Sequence, residues 1–199
     1  MSQKLESRER IVRSSARLFL SRSYNAVSVD ELCAEAEVRK GSFYHFFSSK
    51  SDLAKAVIDL HTTALLDRLE QASGRSPAER LHGLADAVGA IQAGFENRFG
   101  RIVGCPFGNL ASELATADEE LREHLATAFA RWEAEFAVLC RQAASDGALR
   151  QGVDPDRLAQ ALLAQAQGQI LLAKVSVTSA SEIRRALHEL VDAHLREGY

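Results

Sequence analysis

Apolar residues recur every three or four positions along almost the whole chain, and no stretch of four or more residues alternates apolar and polar in the manner of a half-buried strand. That pattern confines the chain to helices packed on helices, an all-α fold. Local punctuation divides it into about nine helices. The first runs from Glu6 to Ser23, with Ile11, Val12, Ala16, Leu18 and Phe19 on its apolar side and Arg8, Arg10, Arg13, Arg17 and Arg22 on the other. Ser28-Val-Asp-Glu31 is a capping box, in which the serine oxygen accepts an amide three residues on and the glutamate reaches back. A short helix follows, with Val29, Leu32, Cys33 and Ala36 on one face, then a second short one from Arg39 to Phe46. Ser49 opens a long helix to about Ala72. Ser76-Pro77-Ala-Glu79 combines an N-cap, proline at the first helical position and an acid at the third, and predicts a helix to Phe99 closed by Gly100. Pro106 starts a shorter helix through Leu114. Thr116-Ala-Asp-Glu119 reads as a further capping box, opening a helix that stops near Gly147. Asp154-Pro155 starts the next, to about Val175, and the last covers Glu182 to Arg196.

Several functional classes are disfavoured. The three cysteines, at positions 33, 105 and 140, form no C-x-x-C pair, which argues against a disulfide framework or structural zinc and fits a reducing cytoplasm. The polar N-terminus has no apolar signal region, and no apolar run is long enough to span a membrane. The six histidines contain no i, i+4 pair, and there is no G-x-S-x-G, H-E-x-x-H or glycine-rich phosphate loop. The expectation is a binding protein rather than an enzyme, with no metal and no cofactor.

Charge is uneven. Residues 1–50 carry nine Lys and Arg against six Asp and Glu, whereas the whole chain has a net charge of −3. A basic end on an acidic body fits a chain that meets an anion at one end. Three short helices, with a tight connection near Ala36–Val38, have the layout of a helix-turn-helix, whose second helix enters the major groove. That helix begins Arg39-Lys40-Gly41-Ser42-Phe43-Tyr44-His45. Two cations at a helix N-terminus oppose its dipole unless phosphates approach there. Gly41 allows close approach, Ser42 and Tyr44 offer hydroxyls, and His45 can donate. Phe43, Phe46 and Phe47 read as core anchors.

The stretches Arg10–Phe19, Tyr24–Ala36 and Lys40–Lys50 together resemble the TetR family of transcriptional regulators. The resemblance implies that Ser28, Lys40, Gly41, Tyr44, His45 and Lys50 face DNA, with Lys50 on a phosphate. Arg39 departs from the family, where a serine is more usual, so the bases read do not transfer. The resemblance divides the chain into a DNA-binding domain, 1–50, and an effector-binding and dimerisation domain, 51–199.

In the body, the segment Ala159–Val175 is apolar on nearly every side and should be covered on two faces. A stripe containing Leu162, Ala166 and Ile170, and another containing Ile183, Leu187, Leu190 and Val191, suit a four-helix seam between two copies, or a seam inside one chain. The family resemblance implies the dimer. Phe95, Phe99, Phe107, Asn109, Glu113, Phe129, Trp132, Phe136, Gln165 and Gln169 are either cavity lining for a small-molecule effector or plain core. Asn109 and Glu113 share a helix face and are the polar anchor of that reading, unless they tie helices together.

Gly104-Cys-Pro-Phe-Gly-Asn-Leu110 resembles a motif of a TetR branch whose members sense electrophiles or quinones, with a cysteine at the place of Cys105. Cys105 precedes Pro106 at a helix start, where a thiolate is stabilised. The alternative is a small buried residue in a turn. Lys174, a cation in an apolar stretch, either reaches solvent or faces Cys105. The whole reads as a dimeric, cytoplasmic, ligand- or redox-responsive repressor of a near-palindromic DNA operator. The other reading is a helical DNA-binding protein without an effector.

Overall fold

The computed structural model describes residues 3–71 and 76–197. Among them are nine helices: α1 Gln3–Arg22, α2 Val29–Glu35, α3 Lys40–Phe46, α4 Lys50–Gln71, α5 Pro77–Phe99, α6 Pro106–Leu114, α7 Glu119–Ser145, α8 Pro155–Ser176 and α9 Ala180–His194. No helix among them is long and apolar enough to cross a membrane. The expected end of α4 near Ala72 lies outside the described residues.

Short-range chemistry sets most boundaries. The Glu31 amide donates to Ser28 Oγ at 3.2 Å, and the Ser28 amide donates to the Glu31 carboxylate at 2.8 Å. These bonds, with Arg22 beside them, hold the Glu31 carboxyl down to about 2. Ser76 and Glu79 repeat the motif at the start of α5, and Gly100, at φ 73°, turns the chain into the left-handed region that ends it. α1 and α9 start earlier than expected, at Gln3 and Ala180, and two further ends differ for a visible reason. At α7 the first-turn amide of Leu121 is accepted by Asp118 at 3.0 Å, so Asp118 caps the helix in place of Thr116. At α9 the helix stops at His194, because the Arg196 amide turns to the Ala148 carbonyl in an isolated bridge of Leu149 with Leu195.

The chain forms two compact units. The first comprises Met1–Thr62 together with Cys105–Ala128. In it α1, α2 and α3 pack on one another and α6 packs on α1, burying Ile11, Leu32, Phe43 and Phe47. The start of α4 is tied to the start of α7 by Ser51 donating to Asp118 at 2.7 Å, by Lys55 with Glu120 at 2.6 Å and by Asp59 with His124 at 2.8 Å.

The second unit comprises Thr63–Gly104 and Phe129–Tyr199, and in it α9 packs on both α5 and α8. The backbones come close at Gly89, where an added Cβ would lie 2.8 Å from Cβ of Arg184. A polar chain crosses the α5–α9 seam: Asp192 meets His82 Nε2 at 3.0 Å, His82 Nδ1 meets His188 Nδ1 at 2.5 Å, and His188 Nε2 meets Asp86 at 2.8 Å.

The stripes assigned to a seam between copies lie inside this unit. Leu162, Ala166, Ile170, Ile183, Leu187 and Val191 are buried within the single chain, and Leu190 is half-buried. Helical periodicity marks a face as covered without saying by what, and here α8 and α9 cover each other. The second apolar face of α8 is the bare one, with Leu171 and Leu172 each 59% and Val175 74% exposed.

Candidate nucleic-acid interface and ligand-site residues

The first unit presents α3 with one side anchored and the other free. Phe43 is wholly buried and stacks against Phe47 at 5.8 Å between centroids. Rotated away from it, Gly41, Tyr44 and His45 are exposed and Ser42 is half-buried. Tyr44, 52% exposed, leans edge-on against Phe43, and His45 against Phe46. An added Cβ at Gly41 would meet nothing within 4 Å. Nothing among the described residues demands glycine there, and the space over it is open. Arg39 occupies the N-cap with no side-chain hydrogen bond, as a cation at that position should.

Several expected contact residues are engaged within the unit. Ser28 is exposed, but its hydroxyl is bonded to the Glu31 carboxylate at 2.9 Å. Lys40 pairs with Asp30 at 2.7 Å, which raises its pKa. Lys50, half-buried, donates to the Tyr24 carbonyl at 2.6 Å and lies 4.1 Å from the centre of the Tyr24 ring. Burial pushes the pKa of its ammonium down and that of the Tyr24 phenol up.

The same turn is held from a second side. The Tyr24 and Asn25 amides donate to the two oxygens of Glu113 at 3.2 and 3.0 Å. Of the two roles open to Glu113, this is the tie between helices: α6 holds the turn between α1 and α2. No spacing rule links Glu113 to a turn 88 residues earlier, which is why the sequence left both roles open.

The remaining expected ligand-site residues divide between the units. Cys105, Phe107, Asn109 and Glu113 belong to the first; Phe95, Phe99, Phe129, Trp132, Gln165, Gln169 and Lys174 belong to the second. In the first, Cys105 is the N-cap of α6 and is buried, and Phe107 is buried edge-on against His61 at 6.3 Å. Desolvation pushes His61 down to about 4, so it is neutral near pH 7. In the second, the Phe129 and Trp132 rings meet edge-on at 6.3 Å, and Trp132 lies 6.4 Å from Phe136. Gln165 and Gln169 are half-buried and Lys174 is exposed, the solvent-facing course of its two expected courses. Burial raises the pKa of Cys33 and pushes Cys140 up to about 12, which makes both poor thiolates. No group of three or more His, Cys, Asp or Glu among the described residues is arranged to hold a metal ion.

Compared with known proteins, residues 11–57 match the family described as bacterial regulatory proteins, tetR family, and residues 77–190 match the tetracyclin repressor-like C-terminal domain. The transcriptional regulator AcuR of Cereibacter sphaeroides is 32% identical over 84% of this chain and 76% of its own. The HTH-type transcriptional repressor DhaR of a Mycobacterium species is 33% identical over 84% and 82%. The crystal structure of the reduced form of Escherichia coli NemR superposes with a TM-score of 0.76 at 26% identity, covering 96% of this chain and 97% of that one.

Proposed function

The chain belongs to the tetR family of bacterial regulatory proteins and is not an enzyme; from that premise we propose that it is a dimeric repressor, released from a near-palindromic operator by a small-molecule effector. The observation that carries the DNA-binding half is the free face of α3, with open space over Gly41 beside exposed Tyr44 and His45. Arg39, Lys40 and Ser42 complete that face, Ser28 stands at the start of α2, and Lys50 supplies a cation at the start of α4. Two such helices about one helical turn apart, ~34–36 Å, fit successive major grooves. The bare face of α8, with Leu171, Leu172 and Val175, is the surface a second copy would cover.

In this reading residues 1–50 bind DNA and residues 51–199 serve pairing and effector binding. Phe95, Phe99, Phe129 and Trp132 supply aromatic walls and Gln165 and Gln169 polar groups for an effector. The effector acts only through differential affinity for the DNA-competent and released states. A covalent form of the same response is centred on Cys105. It is the one cysteine at a helix N-terminus; all three cysteines are buried, and burial raises the pKa of the other two.

The test is fluorescence anisotropy with a labelled duplex from the region upstream of the chain's own gene. Binding should be saturable, weaker for Tyr44→Ala, and altered in sequence preference for His45→Ala or Arg39→Ala. Mild oxidant or a quinone should release wild type and leave Cys105→Ser bound. Release of Cys105→Ser as well would overturn the covalent form. DNA binding that no compound disrupts would overturn the effector and leave a constitutive DNA-binding protein.

A further inference from the structure

The five arginines on the outer face of α1 have different fates. Arg13 pairs with Glu9 at 2.7 Å, Arg17 with Glu35 at 2.9 Å and Arg22 with Glu31 at 2.9 Å. The last two partners belong to α2, so this part of the basic face is an α1–α2 clamp whose charge is already neutralised. Arg8 and Arg10, both exposed, have no carboxylate partner among the described residues. The nearby glutamate Glu9 is taken by Arg13.

Arg8 is also positioned. Its guanidinium lies 5.2 Å from the centre of the Phe47 ring. Phe47 is the C-cap of α3 and is itself buried against Phe43, the residue that seats α3. The aromatic pair that fixes the recognition helix on one side therefore fixes an unneutralised cation on the other. A guanidinium lying over a ring keeps its N–H edge free, and its planar fork suits two phosphate oxygens at once. Held in advance, it loses little side-chain freedom on binding.

We propose that Arg8 is a phosphate-binding residue of the DNA interface, placed beside α3 by Phe47 and extending the contact from the helix-turn-helix onto the first helix. This rests on the DNA-binding reading above. It assigns to α1 a contact with the backbone of the duplex, which strengthens binding to every sequence and selects none.

The experiment measures the affinity of the full chain for the labelled upstream duplex and for a scrambled duplex of equal length, across a series of salt concentrations. Each phosphate contact contributes about 0.9 to the slope of log affinity against log salt. Arg8→Gln should lower that slope by about one per protomer, on both duplexes alike, with its thermal midpoint unchanged. Arg8→Lys, which keeps the charge and loses the planar stack, should keep the slope and lose part of the affinity. Arg13→Gln, whose charge is neutralised within the chain, should keep the wild-type slope. A wild-type slope in Arg8→Gln overturns the proposal, as does an equal slope loss in Arg13→Gln. A lowered thermal midpoint with the slope intact shows a packing role only and overturns it too. Wild type that binds neither duplex overturns this proposal together with the DNA-binding reading; wild type that binds while Arg8→Gln binds identically overturns this proposal alone.

Discussion

The turn at Tyr24 and Asn25 shows how much rests on single side chains. One carboxylate, Glu113, accepts both amides, and one ammonium, Lys50, takes the intervening carbonyl. Charge-assisted bonds of this kind are the stronger ones, and a half-buried amide left unpaired is costly. Glu113→Ala should lower stability by about 1–3 kcal/mol. It should also speed hydrogen exchange at Tyr24 and Asn25, read by mass spectrometry, with little change in the second unit. His61 gives a pH prediction. Its folded value of about 4 lies below the usual 6.5. Between those values the unfolded chain holds the extra proton, so the unfolding free energy falls as pH drops from 6.5 towards 4, then flattens with respect to this group. The contribution is about 3 kcal/mol. Chemical denaturation over that range should give a shallower slope for His61→Leu than for wild type. The residue types of the proposed interface were picked out in the sequence because Lys40, Tyr44 and Lys50 fall at fixed spacing within one short motif. Their engagements with Asp30 and Tyr24 were not, since a partner in space leaves no mark on spacing.

Helix boundaries were legible because caps act over three residues. Ser28, Ser76, Pro106 and Asp154 each sit where their local chemistry places them. Thr116 misled because Asp118, two residues on, offers the better acceptor for the first turn. What lay beyond local reading was which helix covers which face, and the stripe of Leu162 and Ile170 was as consistent with a second copy as with α9. The α5–α9 seam tests the packing itself. Gly89→Ala would drive a Cβ into Arg184. Relieving that overlap moves one helix off the other and should cost about 1–3 kcal/mol, seen as a lowered thermal midpoint. Gly94→Ala, inside α5 and exposed, is the contrast. A Cβ there meets nothing within 4 Å, and alanine is favoured over glycine inside a helix by about 1 kcal/mol. Its stability should hold or rise in the same measurement.

For the whole molecule, the two faces of α8 predict opposite outcomes for the same substitution. Leu162→Glu buries a carboxylate in the chain's own core and should prevent folding. Leu172→Glu places it on the bare face, so the protomer should fold with unchanged helical content. In sedimentation the Leu172→Glu chain should run as a monomer where wild type runs as a dimer, and its hold on the upstream duplex should fall. A Leu172→Glu chain that remains dimeric would move the interface elsewhere. The make-up of the first unit bears on chain synthesis. It is assembled from Met1–Thr62 and Cys105–Ala128, so a ribosome must have released residues well past the helix-turn-helix before that unit has all its parts. Until Glu113 emerges, the turn at Tyr24 waits without its acceptor. A genetic graft of the first fifty residues onto another body would carry the reading head and leave its clasp behind. A chimaera that keeps α6 and the start of α7 with the head should fold and bind where the shorter graft fails.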